Sequence, residues 1–214
     1  MNKNIQREIL NEFNKSNFRK AYDLAINLDA KEKNDIILKI LTISSFKIEN
    51  YSNAIRHGLD YLKLQDQNKD IQILNIIGTS YSILRNYDLG NKFLEEALLI
   101  DHTNTSIRYN LALNLYNQKK FKESGEQFIN IIDKDEDYRD SELFYGIIQS
   151  ELKNYRKSID IFEELIEKGK YKSQTHYNLG IVYQNINDYE LSIKHLKKAI
   201  EYDNKQSIYY NSLG

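Results

Sequence analysis

The side chains of this sequence best suited to metal binding or proton transfer are its four histidines, His57, His102, His176 and His195. A zinc centre needs such groups gathered at short, regular spacing, as in a His-Glu-x-x-His pair on one helix turn. Here they fall in different repeat units or on different helices of the periodic pattern described below, so spacing assembles no ligand set. With no cysteine in the chain, disulfides, thiolate zinc sites and a cysteine nucleophile are excluded. A Gly-x-x-x-x-Gly-Lys-Ser/Thr phosphate loop and a Gly-x-Ser-x-Gly elbow are also absent. The expectation is a segment that carries no catalytic residues, no cofactor and no metal.

Charge points the same way. The 30 Lys and Arg are balanced by 31 Asp and Glu, so there is no global field to recruit nucleic acid or an anionic membrane. The first residues, Met1 to Glu8, lack the apolar core of a signal peptide. No stretch approaches the ~20 apolar residues that span a bilayer, and a cytoplasmic location is expected. Proline is absent and glycine is scarce. Helix ends must then be set by Asn, Asp, Ser and the few glycines.

The elements that position these residues are written in a period. Gly78, Gly146, Gly180 and Gly214 stand at multiples of 34 residues, with Ala112 at the missing step. Tyr87, Phe121, Tyr155 and Tyr189 form a second ladder nine residues behind the first. A fixed period of this length signals stacked copies of one small unit. In the clearest copy, His176, Leu179, Gly180 and Tyr183 form one helical apolar row, Asn187-Asp188 interrupts, and Tyr189, Ile193, Leu196, Ala199 and Ile200 form another. Each unit reads as two helices of about 14 residues joined by a tight turn. Glycine in mid-helix costs ~1 kcal/mol relative to alanine, so its recurrence argues for close helix contact, with Gly180 expected opposite Ser192 and Ala199. The aromatic ladder is expected to fill the space between hairpins.

The small residue of the second helix can be followed upstream as Ala21, Ala54, Gly90, Ser124, Ser158 and Ser192, at spacings of 33, 36, 34, 34 and 34. Units are placed at about 2–34, 35–70, 71–104, 105–138, 139–172 and 173–206, with residues 207–214 opening a truncated seventh. The two extra residues are assigned to the polar loop Gln67-Asn68-Lys69-Asp70, and the acidic run Asp133 to Asp137 is read as a solvated link.

These residues resemble the tetratricopeptide repeat. Its signature, W-x2-L-G-x2-Y then A-x3-F, is approached by Leu74-x2-Ile77-Gly78-x2-Tyr81 with Gly90-x3-Leu94, and by His176-x2-Leu179-Gly180-x2-Tyr183 with Ser192-x3-Leu196. The copies beginning at Arg108 and Glu142 are looser, and the family's closing proline is replaced by His102, Glu136, Lys170 and Asn204. His176 stands where the family often has tryptophan, which favours packing. The resemblance implies an all-α, right-handed superhelical solenoid of helix-turn-helix hairpins spanning 1–214 as a single domain.

It also implies a function. First helices of the family line a concave groove that accepts a peptide or a helix of a partner protein. The matching positions include Asn75, Tyr109, Asn110, Tyr116, Asn117, Phe144, Tyr177, Asn178 and Asn185. Asparagine amides can both donate to and accept from a peptide backbone, and aromatic rings add apolar contact. The subclass that grips acidic chaperone tails is disfavoured, because Lys39 matches its first lysine but Ile43 and Ile76 stand where asparagines are required. The expected function is a protein-interaction scaffold. The alternative is a substrate-recruiting N-terminal arm of a longer enzyme of glycosyltransferase or sulfotransferase type. Weak end-to-end self-association through Tyr209, Tyr210 and Leu213 is a further expectation.

Overall fold

Left-handed backbone at regular intervals is what turns this chain into hairpins. Ser16, Glu49, Arg85, Lys119, Lys153 and Asn187 all have φ between 59° and 64°. Their spacings are 33, 36, 34, 34 and 34, the intervals of the sequence period. Each sits just past a first helix, and the next backbone N–H reaches back five residues, as in Asn50 N to Ser45 O at 2.8 Å, Asn154 N to Gln149 O at 2.8 Å and Asp188 N to Tyr183 O at 2.9 Å. This is a Schellman closure, which satisfies the last carbonyls of one helix while reversing the chain into the next.

The computed structural model describes residues 3–28, 30–65 and 69–213. Its helices are α1 (Lys3–Asn14), α2 (Phe18–Ile26), α3 (Asp35–Lys47), α4 (Tyr51–Lys63), α5 (Ile71–Ile83), α6 (Tyr87–Ile100), α7 (Thr105–Asn117), α8 (Phe121–Ile132), α9 (Ser141–Glu151), α10 (Tyr155–Glu167), α11 (Lys172–Asn185), α12 (Tyr189–Tyr202) and α13 (Ser207–Leu213), with one 3₁₀ turn at Ala30–Glu32. Side-chain caps start several of them: Asn34 accepts from Ile37 N, Asp70 from Gln72 N and Ile73 N, and Asp188 from Leu191 N. The architecture is all-α, with helices in consecutive packed pairs, and no described helix is long and apolar enough to cross a membrane. Gln67, Asn68 and Gly214, on which the expected insertion loop and the last rung depend, lie outside the described residues.

Two compact units are distinguished, Met1–Asn114 and Leu115–Gly214, and the division falls within α7. In the first, Ile9, Ala21, Ala25, Ile37, Leu41, Ala54, Ile73 and Ile77 form a buried core. In the second, Leu143, Phe162, Leu165, Leu179 and Val182 do so.

The glycine ladder is a contact between the two helices of a pair. A Cβ built on Gly78 would lie 2.7 Å from Leu94 Cγ, on Gly146 2.6 Å from Phe162 Cε1, and on Gly180 2.8 Å from Leu196 Cγ. The facing side chain is the large residue sixteen positions on, so the expected pairing of Gly180 with Ala199 is corrected to Leu196, with the Ser192 carbonyl beside it. The small second-helix residue has its own task, because Ser158 Oγ donates to Gly146 O at 2.8 Å.

Three expectations change. Tyr87, Phe121 and Tyr155 are half-buried, but Tyr189 is 59% exposed and donates to Asn187 Oδ1. The acidic link is not simply solvated: Lys168 pairs with Glu136, Glu142 and Glu164, and Lys170 with Asp137 and Glu142. Glu136 and Lys170 occupy two of the positions where the family has proline, so an ion network stands where ring rigidity was lost. On α13, Tyr209 is buried beneath Tyr177 and bonds Ser173, which removes it from the expected exposed terminal face; Ile208 and Tyr210 remain exposed.

Candidate functional site

The first helices of successive pairs present the residues singled out above, and the two units hold them differently. In the first unit, Asn110 Nδ2 donates to Asn75 Oδ1 at 2.9 Å and to Thr79 Oγ1 at 3.3 Å. The amides of α5 and α7 therefore bind each other, and both residues are half-buried. Tyr109, expected as an open aromatic contact, is only 6% exposed and belongs to the packing. One turn along, the buried Asn114 donates to Asn91 Oδ1 at 2.6 Å and to Tyr87 O at 2.8 Å, tying α7 to the start of α6.

In the second unit the face is aromatic. Phe144 stacks parallel on the buried Phe128, with centroids 5.5 Å apart, and meets Tyr116 edge-on at 5.5 Å. Tyr116 also touches Phe121, and burial together with Glu151 pushes its phenol pKa up. Tyr116, Phe121 and Phe144 are half-buried, and their orientation is fixed by neighbours. Tyr177 packs on Tyr209, with centroids at 4.9 Å. Asn178 turns its Nδ2 to Gln174 O on its own helix at 2.8 Å, whereas Asn117 and Asn185, the last residues of α7 and α11, are exposed.

Asn110 and Asn178, equivalent in the period, thus differ in bonding. The cause lies 35 residues back, where Asn75 precedes Asn110 and Leu143 precedes Asn178. Only the first has an amide neighbour, Asn75, within reach.

The chaperone-clamp reading finds no support, because Lys39 is held by Asp70 at 2.6 Å. Asp70 in turn caps α5, and the bond raises the lysine pKa.

Sequence spacing gave no reason to expect that two histidines meet. His176 Nδ1 and His195 Nδ1 lie 3.0 Å apart across the α11–α12 pair, with Tyr202 stacked on His176 and Tyr183 against His195. At that separation one imidazole donates and the other accepts, so the two rings cannot both be protonated. Burial, followed by the neighbouring His176, lowers His195 to about 4, and burial also lowers His176. His57 is buried edge-on to Tyr22 and lowered to about 4, first by burial and then by Arg56, while His102 is exposed and its carbonyl accepts from Arg108. Carboxylates of Glu136, Glu142 and Glu164 converge, but Lys168 sits among them and supplies the positive charge.

A helical-hairpin repeat with a fixed period and a polar-aromatic first-helix face defines the class. Residues 173–205 match the tetratricopeptide repeat family. Among solved structures the fold is similar to MamA from Desulfovibrio magneticus RS-1 (TM-score 0.73, 13% identity, covering 81% of this chain and 97% of that one). It is likewise similar to MamA MSR-1 (0.69, 19%, 81% and 99%) and to YrrB, a TPR protein with an unusual peptide-binding site (0.70, 16%, 91% and 96%). At these identities the likeness is one of fold. No curated protein matches the chain. The chain has the tetratricopeptide-repeat fold, and its residues 173–205 are a tetratricopeptide repeat by sequence as well.

Proposed function

We propose that this protein is an interaction scaffold that holds a peptide or a helix of a partner protein on its first-helix face. The observation that carries the reading is the aromatic platform of the second unit, where Tyr116 and Phe144 are oriented by Phe121 and Phe128 yet stay partly exposed. Asn117, next to Tyr116 in the chain, and Asn185, at the end of α11, are exposed amides of the same unit. Rigid aromatic anchors beside adaptable amides give apolar affinity with backbone hydrogen bonding, at small entropic loss. The fold likeness to YrrB, which has a peptide-binding site, is consistent with such a role.

The test uses the exposed amides, because Tyr109 and Phe144 support the fold and their loss would confound binding. Short random peptides are selected on the intact chain, and the selected sequence is titrated against Asn117→Ala/Asn185→Ala and Asn178→Ala variants. A severalfold loss of affinity with unchanged thermal unfolding is expected. Unchanged affinity in both variants sinks the assignment of this face.

A further inference from the structure

The hairpin turns of the second unit form an edge whose charge the first-helix reading does not use. Lys119, Lys120 and Lys122 lie at the α7–α8 turn, and Lys153, Arg156 and Lys157 at the α9–α10 turn. All six are exposed. The period places Lys119 over Lys153 and Lys122 over Arg156 in consecutive hairpins. Three carboxylates share the edge, Glu123, Glu151 and Asp160, and Asp160 is engaged by Arg156 Nε at 3.2 Å. Lys119, Lys122 and Lys153 have no ion-pair partner among the described residues. This excess of cations stands out in a chain whose net charge is −1.

Two further features make the edge more than scattered lysines. A concavity of about 590 Å³ opens there, lined by Lys153, Asn154, Tyr155, Arg156, Lys157 and Asp160. Lys157 is also fixed in place: its Nζ donates to Tyr145 OH at 2.8 Å and lies 5.0 Å from the centre of the same ring. A cation held in this way loses less rotamer entropy on binding than a free one. Arg156 uses Nε on Asp160 and leaves its terminal N–H groups to a carboxylate from outside.

We infer that this edge is a docking site for an acidic segment of a partner protein, distinct from the first-helix face. Extent decides against nucleic acid. Within the second unit the next turn carries Asp188 and Glu190, so there the cationic row covers two hairpins, while Arg85 holds the same register one repeat earlier in the first unit. With helices packed ~8–10 Å apart, two turns match an extended peptide of about six residues at ~3.4 Å each. A duplex, with one charge per ~1.7 Å of axis, is held by a longer cationic track.

The test is fluorescence anisotropy of a labelled hexaglutamate peptide on the intact chain. Saturable binding that weakens with added salt is expected, with at least a tenfold loss in a Lys153→Ala/Arg156→Ala variant and in Lys122→Glu. A Lys194→Ala/Lys197→Ala variant, altered at exposed lysines of α12, is expected to bind like the parent. All these substitutions are at exposed positions, and circular dichroism melting checks that each variant is folded. The inference is overturned if hexaglutamate does not bind, if the α12 variant loses as much as the turn variants, or if a short DNA duplex or phosphatidylserine vesicles compete more strongly than the peptide. Failure here leaves the first-helix reading intact, because Asn117, Asn178 and Asn185 take no part in this assay.

Discussion

Replacing Gly146 and Gly125 by alanine, one at a time, separates two effects that a mid-helix glycine combines. Both changes gain ~1 kcal/mol of helix propensity. Both residues are buried in the second unit, one on a first helix and one on a second. They differ in what the new methyl meets. At Gly146 it would lie 2.6 Å from Phe162 Cε1, 3.0 Å from Cζ and 3.1 Å from Ile161 Cγ2, against a ring that is fully buried and cannot bend away. At Gly125 the nearest atom is Ile148 Cγ2 at 3.3 Å, and the next is Tyr145 Cε2 at 3.8 Å, a gap closed by a few tenths of an ångström of adjustment. Overpacking of the first kind costs ~1–3 kcal/mol. Gly146→Ala is therefore expected to lose up to about 2 kcal/mol net, and Gly125→Ala to match the parent or gain up to about 1 kcal/mol. Urea unfolding followed by far-ultraviolet circular dichroism reads the difference directly as a shift in midpoint at constant slope. If Gly146→Ala proves as stable as Gly125→Ala, the glycine ladder is not there for helix contact and the packing argument fails.

Other consequences are as direct. Lys153 holds φ at +62°, and Lys153→Gly is expected to raise stability by a few tenths to ~1 kcal/mol in the same urea assay, since glycine adopts this backbone without Cβ strain. His57 and His195 are each lowered to about 4, below their unfolded value of ~6.5. Between those values the unfolded chain binds protons that the folded chain refuses, so the stability they contribute is complete above pH ~6.5 and lost as pH falls towards about 4. Urea midpoints at pH 7 and pH 5 measure it, and His57→Gln should flatten the dependence. Asn114→Ala removes both donors that tie α7 to α6 and leaves Asn91 Oδ1 unpaired; a loss of ~1–3 kcal/mol is expected, with Asn117→Ala nearly neutral as its exposed control.

The period was legible because it is a property of spacing, and spacing survives any identity of the residue. Left-handed turns recur at the same intervals as the small second-helix residues, although five of the six turn residues are neither glycine nor asparagine. What the sequence hid was direction around the helix. Gly180 faces Leu196 rather than Ala199, one helical turn away, and a position count cannot resolve that without the crossing of the pair. Tyr109 was misplaced for a related reason, since the first-helix positions read as one face divide between sides, and Tyr109 turns into the packing. The amide pairing of Asn75 with Asn110 and the meeting of His176 with His195 depend on contacts between helices, which no local motif encodes.

The six left-handed residues that turn first helices into second ones are Ser, Glu, Arg, Lys, Lys and Asn. The fold asks of them a backbone angle and nothing of their side chains, and it asks the same at every repeat. Acid, base and amide are thus interchangeable there as far as folding is concerned. The turn edge is a line of sites on which a lineage can rewrite surface charge, repeat by repeat, without disturbing the helices that the turns connect. A scaffold built this way can change partners along its rim while its interior stays constant.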